Sequence, residues 1–286
     1  MPSVQGFIRS NEQNFSRIRL GVRLGCSISD CFRLFAVALL QGIPNVVGGR
    51  NPVVYDKLNG LKMTLLRSVK LEINNSVFAV HDFEDFIILD PNFEPFMQAW
   101  FRPKPGDVFI DIGSHVGKYS IATAKAIGVS GLVIAVEPHP ETFKALLKNI
   151  ELNCLRNLIA FNYAAWNRSS MLKFYVGGTF SEFSAQKSAQ GKSIDVQAKR
   201  IDELLIDDLR LKQVDWIKID AEKAELEVLE GLEETLKKFK PKLFIEVWSK
   251  NMESVKTLLK NYDYNLVVVS NTFGSLSDWC LYIVCF

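Results

Sequence analysis

One pattern constrains this chain more than any other: from Asp107 onward short apolar runs alternate with segments of helical spacing, and near the end the alternation fails. Val108–Ile112, Leu132–Val136, Leu158–Asn162, Trp216–Asp220 and Lys242–Val247 read as strands; Lys118–Ile127, Glu141–Leu152, Ala224–Phe239 and Met252–Asn261 read as helices. Nearly continuous apolar strands separated by helices mean a parallel sheet covered on both faces. Leu266–Ser270 and Trp279–Phe286 are two further strands with only Asn271–Asp278 between them. A parallel crossover needs a dozen or more residues, so the last strand must run antiparallel. The expected fold class is α/β, with a seven-stranded, mostly parallel sheet closed by a C-terminal antiparallel hairpin.

The first hundred residues differ. Residues 1–50 hold Arg9, Arg17, Arg19, Arg23, Arg33 and Arg50 against Glu12 and Asp30, a local excess of +4 in a chain of net charge +2. That balance is too small to argue for nucleic acid by itself. The apolar run Phe35–Leu40 stops at Gly42 and Pro44. It is far shorter than the roughly 20 residues of a membrane span and poorly framed for a signal peptide. Residues 1–68 are expected to form a helical, basic segment that packs on the main domain, with peripheral contact to anionic lipid as the lesser alternative. Val69–Val80 reads as a hairpin turning at Asn74-Asn75-Ser76, and Phe93–Phe101 as a short helix. The expected division is therefore 1–68 and 69–286, the latter comprising the hairpin and helix of 69–105 and a core over 106–286. Disorder is excluded by 48% hydrophobic residues. Five cysteines, an odd number without CxxC spacing, suit free thiols in a reducing, cytoplasmic setting. His81, His115 and His139 lie apart in the sequence, and no metal site is expected.

Ligands of such sheets bind at the carboxyl ends of the strands. The first core strand ends Asp111-Ile112-Gly113-Ser114-His115-Val116-Gly117. Glycine lets a ligand approach the backbone, and the next helix presents its free N–H groups. The spacing is Gly-x-x-x-Gly, not the Gly-x-Gly-x-x-Gly of a pyrophosphate binder. Glu137, before Pro138 at the end of the second strand, is placed to accept hydrogen bonds from a ribose diol. Asn162, closing the third strand, is placed near an adenine edge. These positions point to a nucleoside-like ligand without saying which, although the terminal hairpin suits the class I methyltransferase variant of the Rossmann-like fold.

The stretches Asp111–Ser120, Ala135–Pro140 with Asn149, Asn162-Tyr163-Ala164, Ile217–Glu225 and Leu243–Val247 occur in an order that resembles the FkbM family of S-adenosylmethionine-dependent methyltransferases. The resemblance implies S-adenosylmethionine as cofactor. Gly113 to Gly117, with Ser114 and His115 between them, would line its methionine moiety, and Asp111 would fix the amino group. Glu137, beside Pro138, would hold the ribose, and Asn162 with Ala164 would border the adenine. Asp220, Glu222 and Glu225 would stand at the mouth of the fourth strand, with Glu246 facing them from the fifth and Lys218 paired with a carboxylate. Two positions depart from the family pattern: Lys223 stands where Gly is usual, and Trp248 where His is frequent.

Methyl transfer to an alcohol needs positioning and a base. Crowded carboxylates suit both, since like charges push at least one of them toward neutral titration. Asp220 or Glu222 is the expected base, with Glu225 and Glu246 orienting. The expected acceptor is a hydroxyl on a sugar, glycolipid or small metabolite. An RNA-modifying enzyme using the basic N-terminal segment and a non-catalytic cofactor-binding module are the alternatives. The segment Val176–Lys199, rich in Ser, Gln and Gly, is expected to cover the site.

Overall fold

The computed structural model describes residues 25, 27–41, 52–67, 69–82, 85–176, 183–184, 193–275 and 278–286. Most of the basic stretch 1–50, and residues 177–182 and 185–192 of the expected cover segment, lie outside them. The chain divides into two compact units, Met1–Phe93 and Glu94–Phe286.

In the first unit the helices Ile28–Gln41 and Pro52–Leu66 pack against each other. In the first, Leu34 and Val37 are buried, while the apolar side chains of Ile28, Phe32 and Phe35 line an exposed face. Strands β1 (Lys70–Ile73) and β2 (Ser76–Ala79) form the expected hairpin. Its two-residue turn places Asn74 and Asn75 at φ 48° and 61°, and asparagine tolerates this conformation. Gly25 bridges to Leu71 beside the hairpin. Asp82 and Asp85 cap the short helix Asp85–Ile88 reciprocally: the Asp85 N–H donates to Asp82 and the Asp82 N–H to Asp85. His81 is not apart from other ligating groups. Its Nδ1 lies 3.6 Å from Asp82, and ligand atoms of His81, Asp82 and Asp85 fall within 4.8 Å of one another. The reciprocal cap already explains the two aspartates.

The second unit opens with the helix Met97–Trp100. It is one turn, shorter than the expected Phe93–Phe101, because Glu94 adopts φ 54° just before it. Seven strands follow in the sheet: β3 (Val108–Ile112), β4 (Leu132–Val136), β5 (Leu158–Phe161), β10 (Trp216–Ile219), β11 (Lys242–Trp248), β12 (Leu266–Ser275) and β13 (Asp278–Cys285). Four further strands lie between β5 and β10 in the chain: β6 (Ala164–Trp166), β7 (Ser170–Val176), β8 (Phe183–Ser184) and β9 (Ser193–Arg200). The sheet order is β12-β13-β11-β10-β3-β4-β5. β11, β10, β3, β4 and β5 are parallel, and β13 runs antiparallel between β11 and β12. This is the Rossmann-like class I methyltransferase topology expected from the missing crossover. β12 is longer than Leu266–Ser270 because it continues through two register shifts in its pairing with β13. The core between sheet and helices holds Ile110, Ile134, Ile217, Ile219, Leu243 and Ile245, each buried.

Two further features differ from the sequence reading. β6–β9 form a second sheet, ordered β6-β9-β7-β8, where a cover segment is expected. The expected helix Ala224–Phe239 is two helices, Glu225–Glu230 and Glu233–Phe239. The break lies at Gly231, where a Cβ would stand 2.0 Å from the Trp166 carbonyl oxygen. Asp202 then accepts from the Glu234 and Thr235 N–H groups, both at 2.9 Å, so the second helix gains an anionic cap from outside its own chain segment.

Candidate active site

The carboxyl ends of β3, β4, β5, β10 and β11 lie side by side, because the parallel register pairs Ile112 with Val136 and with Ile219, Val136 with Phe161, and Ile219 with Ile245. The residues following these strand ends build the site.

The loop after β3 bends where the sequence demands glycine. Gly113 sits at φ 74°, and a Cβ there would lie 1.9 Å from the Asp220 carbonyl oxygen. Gly117 sits at φ 92° against Leu146 and Ile121. Their role is therefore close packing of the β3 and β10 ends and of the next helix. Asn149, fully buried in the helix Pro140–Leu152, donates to the Val116 carbonyl at 2.9 Å and fastens that helix to the loop.

Glu137 ends β4 and reaches back across the loop. One oxygen accepts from the His115 N–H at 2.9 Å and the other from the His139 N–H at 2.8 Å. Burial nonetheless pushes its carboxyl up to about 7, against the two N–H groups that favour the charge. Each oxygen keeps lone-pair capacity for a diol. Asn162 donates its amide to the carbonyls of Glu137 at 2.8 Å and Pro138 at 3.1 Å, so it shapes the turn that holds Glu137. Ala164 opens β6, and its side chain packs with Phe174, Val196 and Ala198 in the second sheet.

Asp111, fully buried, accepts from Ser120 at 2.5 Å. Burial raises its carboxyl, with Lys218 acting against the shift. Its Oδ1 and the Ser114 hydroxyl oxygen are buried and make no hydrogen bond. An unoccupied acceptor and an unused hydroxyl beside a glycine loop fit an ammonium-and-carboxylate ligand such as a methionine moiety.

Lys218 is buried in β10 between two acids, 3.2 Å from Asp220 and 3.9 Å from Asp111. Burial alone lowers an ammonium, but Asp220, Asp111 and Glu94 outweigh it and the net shift is upward. It stays charged and neutralises part of the acidic cluster. Asp220 is the open member, its side chain 30% exposed. Glu222 is raised well above the ordinary range by burial and by Asp220, Glu246 and Glu225. Glu246 is pushed up to about 8, by burial and then Asp220. Glu225 is fully buried, and its oxygens accept from the Lys223 N–H and the Asn251 amide. These contacts tie it to the turn after β10.

Three residues of this cluster are not among the expected site residues. Glu94 is 7% exposed, and its two oxygens accept from the hydroxyls of Tyr119 and Tyr282. Tyr282 also contacts Glu246. These residues come from the turn at the start of the unit, the helix Lys118–Ile127 and β13, and only the fold brings them together.

Comparison with known proteins finds several that this chain is similar to. Methyltransferase 1 of Beauveria bassiana (strain ARSEF 2860) is 27% identical over 189 residues, covering 58% of this chain and 76% of that protein. A methyltransferase FkbM from Methylobacillus flagellatus KT aligns over 95% of this chain and 59% of its own, at 16% identity and TM-score 0.44. A precorrin-6y C5,15-methyltransferase from Geobacter metallireducens GS-15 aligns over 70% of this chain and 91% of its own, at 13% identity and TM-score 0.46. The methyltransferase FkbM domain matches residues 111–266, more than half of the chain and the whole arc of strand ends described above. The chain is an S-adenosylmethionine-dependent methyltransferase, and it belongs to the FkbM family.

Proposed function

We propose that this enzyme methylates a hydroxyl group, carried by a sugar, a glycolipid or another small metabolite. The observation that carries the reading is the convergence of Asp220, Glu222 and Glu246 beside the buried Lys218, at the ends of adjacent strands. The cofactor, when bound, supplies a methyl group on a cationic sulfur. Glu137 would hold the ribose, Asp111 and Ser114 the methionine end, and the bend at Gly113 would set the loop between them. Asp220, held by Lys218, would orient the acceptor hydroxyl. A carboxyl group of the cluster would take the hydroxyl's proton, a step that a thiolate acceptor does not have and an amine needs less. An acidic mouth also favours a cationic donor over its neutral product.

The test is a labelled methyl donor incubated with extract fractions, followed by hydrolysis of the labelled product. Label recovered as an acid-stable methyl ether supports the reading. Label on nitrogen or sulfur refutes it. Asp220→Ala is expected to lower turnover by roughly 100-fold or more while leaving S-adenosylhomocysteine binding within a few-fold. Unchanged turnover would remove Asp220 from the mechanism.

A further inference from the structure

We propose that the proton leaving the acceptor hydroxyl passes through Glu246 and Tyr282 to Glu94, a carboxylate that touches neither substrate nor cofactor; this rests on the hydroxyl-methylating reading. The Tyr282 hydroxyl lies 2.6 Å from Glu94 Oε1 and 2.5 Å from Glu246 Oε2. A phenol has one proton. Both contacts are hydrogen bonds only if the hydroxyl donates to one carboxyl and accepts from the other. One of the two carboxyl groups therefore carries a proton.

The surroundings decide which. Glu94 accepts from Tyr119 through Oε2 as well as from Tyr282 through Oε1, so both of its oxygens are already taken as acceptors. It also attracts the Lys218 ammonium. Glu246 faces Asp220 and Lys218 from β10, Glu222 from the turn after it, Tyr282 from β13 and Glu94 from the first turn of the unit. Burial and the acids around it push Glu246 up to about 8. Burial and the same carboxylates keep both tyrosine hydroxyls protonated. The resting order is then Glu246 acid, donating to Tyr282, donating to the Glu94 carboxylate.

This order gives a protonated Glu246 a use. As the acceptor oxygen gains its methyl group, its O–H bond breaks and the proton joins Glu246 Oε1. The Glu246 Oε2–H bond breaks and its proton joins the Tyr282 oxygen. The Tyr282 O–H bond breaks and its proton joins Glu94 Oε1. Glu246 and Tyr282 end with the protons they began with, and Glu94 gains the one that the acceptor loses.

Infrared difference spectra of the full chain at neutral pH, between wild type and each of Glu246→Gln, Tyr282→Phe and Glu94→Gln, test the order without an acceptor. Glu246→Gln is expected to remove a carboxylic-acid C=O band. Tyr282→Phe is expected to move that band to higher frequency, because the acid loses its acceptor. Glu94→Gln is expected to remove carboxylate bands and keep the acid band. Loss of the acid band in Glu94→Gln, or its retention in Glu246→Gln, overturns the proposal. Calorimetry with S-adenosylhomocysteine checks that each variant is folded. If Glu94→Gln fails that check, the Tyr282→Phe spectrum decides: an unmoved acid band overturns the relay. With labelled donor and a labelled extract fraction, Tyr282→Phe and Glu94→Gln are each expected to lower kcat about 100-fold with the donor KM unchanged. A product labelled on nitrogen or sulfur, with the infrared order intact, would overturn the hydroxyl reading and leave the proton placement standing.

Discussion

Lys223 and Trp248, the two positions read above as departures from the FkbM pattern, touch. The Lys223 ammonium lies 4.3 Å from the centre of the Trp248 ring. Lys223 also holds φ 78°, the left-handed conformation that a glycine adopts freely. The conformation costs a lysine about 1 kcal/mol, and a cation–π contact returns about 0.5–1 kcal/mol. The two departures therefore compensate each other. Lys223→Gly is expected to unfold within about 0.5 kcal/mol of wild type, because relief of the backbone offsets the lost contact. Lys223→Ala keeps the strain, loses the contact, and is expected to be less stable by about 1 kcal/mol. Denaturant titration of both variants checks this. Equal stability of Ala and Gly variants would contradict it. Gly113 has no such compensation: Gly113→Ala places a Cβ 1.9 Å from the Asp220 carbonyl and is expected to cost at least about 3 kcal/mol. At this scale the sequence was informative about placement wherever a residue stands at its own strand end, as Gly113, Glu137 and Asp220 do. It was silent on Glu94, whose role depends on tyrosines from two distant elements. It gave Glu225 an orienting place at the mouth of the fourth strand without revealing that its carboxylate binds the Lys223 N–H of its own turn and the Asn251 amide.

At the scale of elements, the break at Gly231 shows why a helical pattern can mislead. Both halves of Ala224–Phe239 keep the same apolar spacing, and an isolated glycine is tolerated inside a helix. What ends the first helix is the Trp166 backbone, which packs where a side chain would stand. Asp202 then caps the second helix and pairs with Arg200 at 3.1 Å. Asp202→Ala leaves two helix N–H groups and the Arg200 guanidinium without this partner, and is expected to cost about 2–4 kcal/mol in denaturant unfolding. A cost under about 0.5 kcal/mol would mean that the cap is not holding the helix. The second sheet had a visible signal: Ile194, Val196 and Ala198 alternate with Asp195, Gln197 and Lys199. The Gly- and Ser-containing stretch before them outweighed it. The main sheet was legible almost strand for strand, because five buried apolar runs and a missing crossover leave few topologies open.

At the scale of the whole molecule, the site imposes a pH dependence on folding. Glu137 and Glu225 are pushed up to about 7, and Glu246 to about 8, chiefly by burial. Their unfolded-state values are near 4.5. Between those limits the folded chain binds more protons than the unfolded chain, so stability falls as pH rises. The melting temperature is expected to decline from pH 5 to pH 8, and Glu246→Gln is expected to flatten the upper part of that decline. A rising melting temperature over this window would contradict the burial of these carboxyls. No helix among the described residues is long and apolar enough to cross a membrane.

The central claim is that the loop from Gly113 to Gly117 and the Glu137 carboxylate form the cofactor site. Calorimetric titration with S-adenosylhomocysteine, with NAD as the control ligand, tests it most directly. The expected result is saturable binding of S-adenosylhomocysteine and none of NAD, with affinity falling about 10- to 100-fold in Glu137→Ala, the scale of hydrogen bonds to a buried charge. Saturable binding of NAD, or affinity for S-adenosylhomocysteine unchanged in Glu137→Ala, would contradict it.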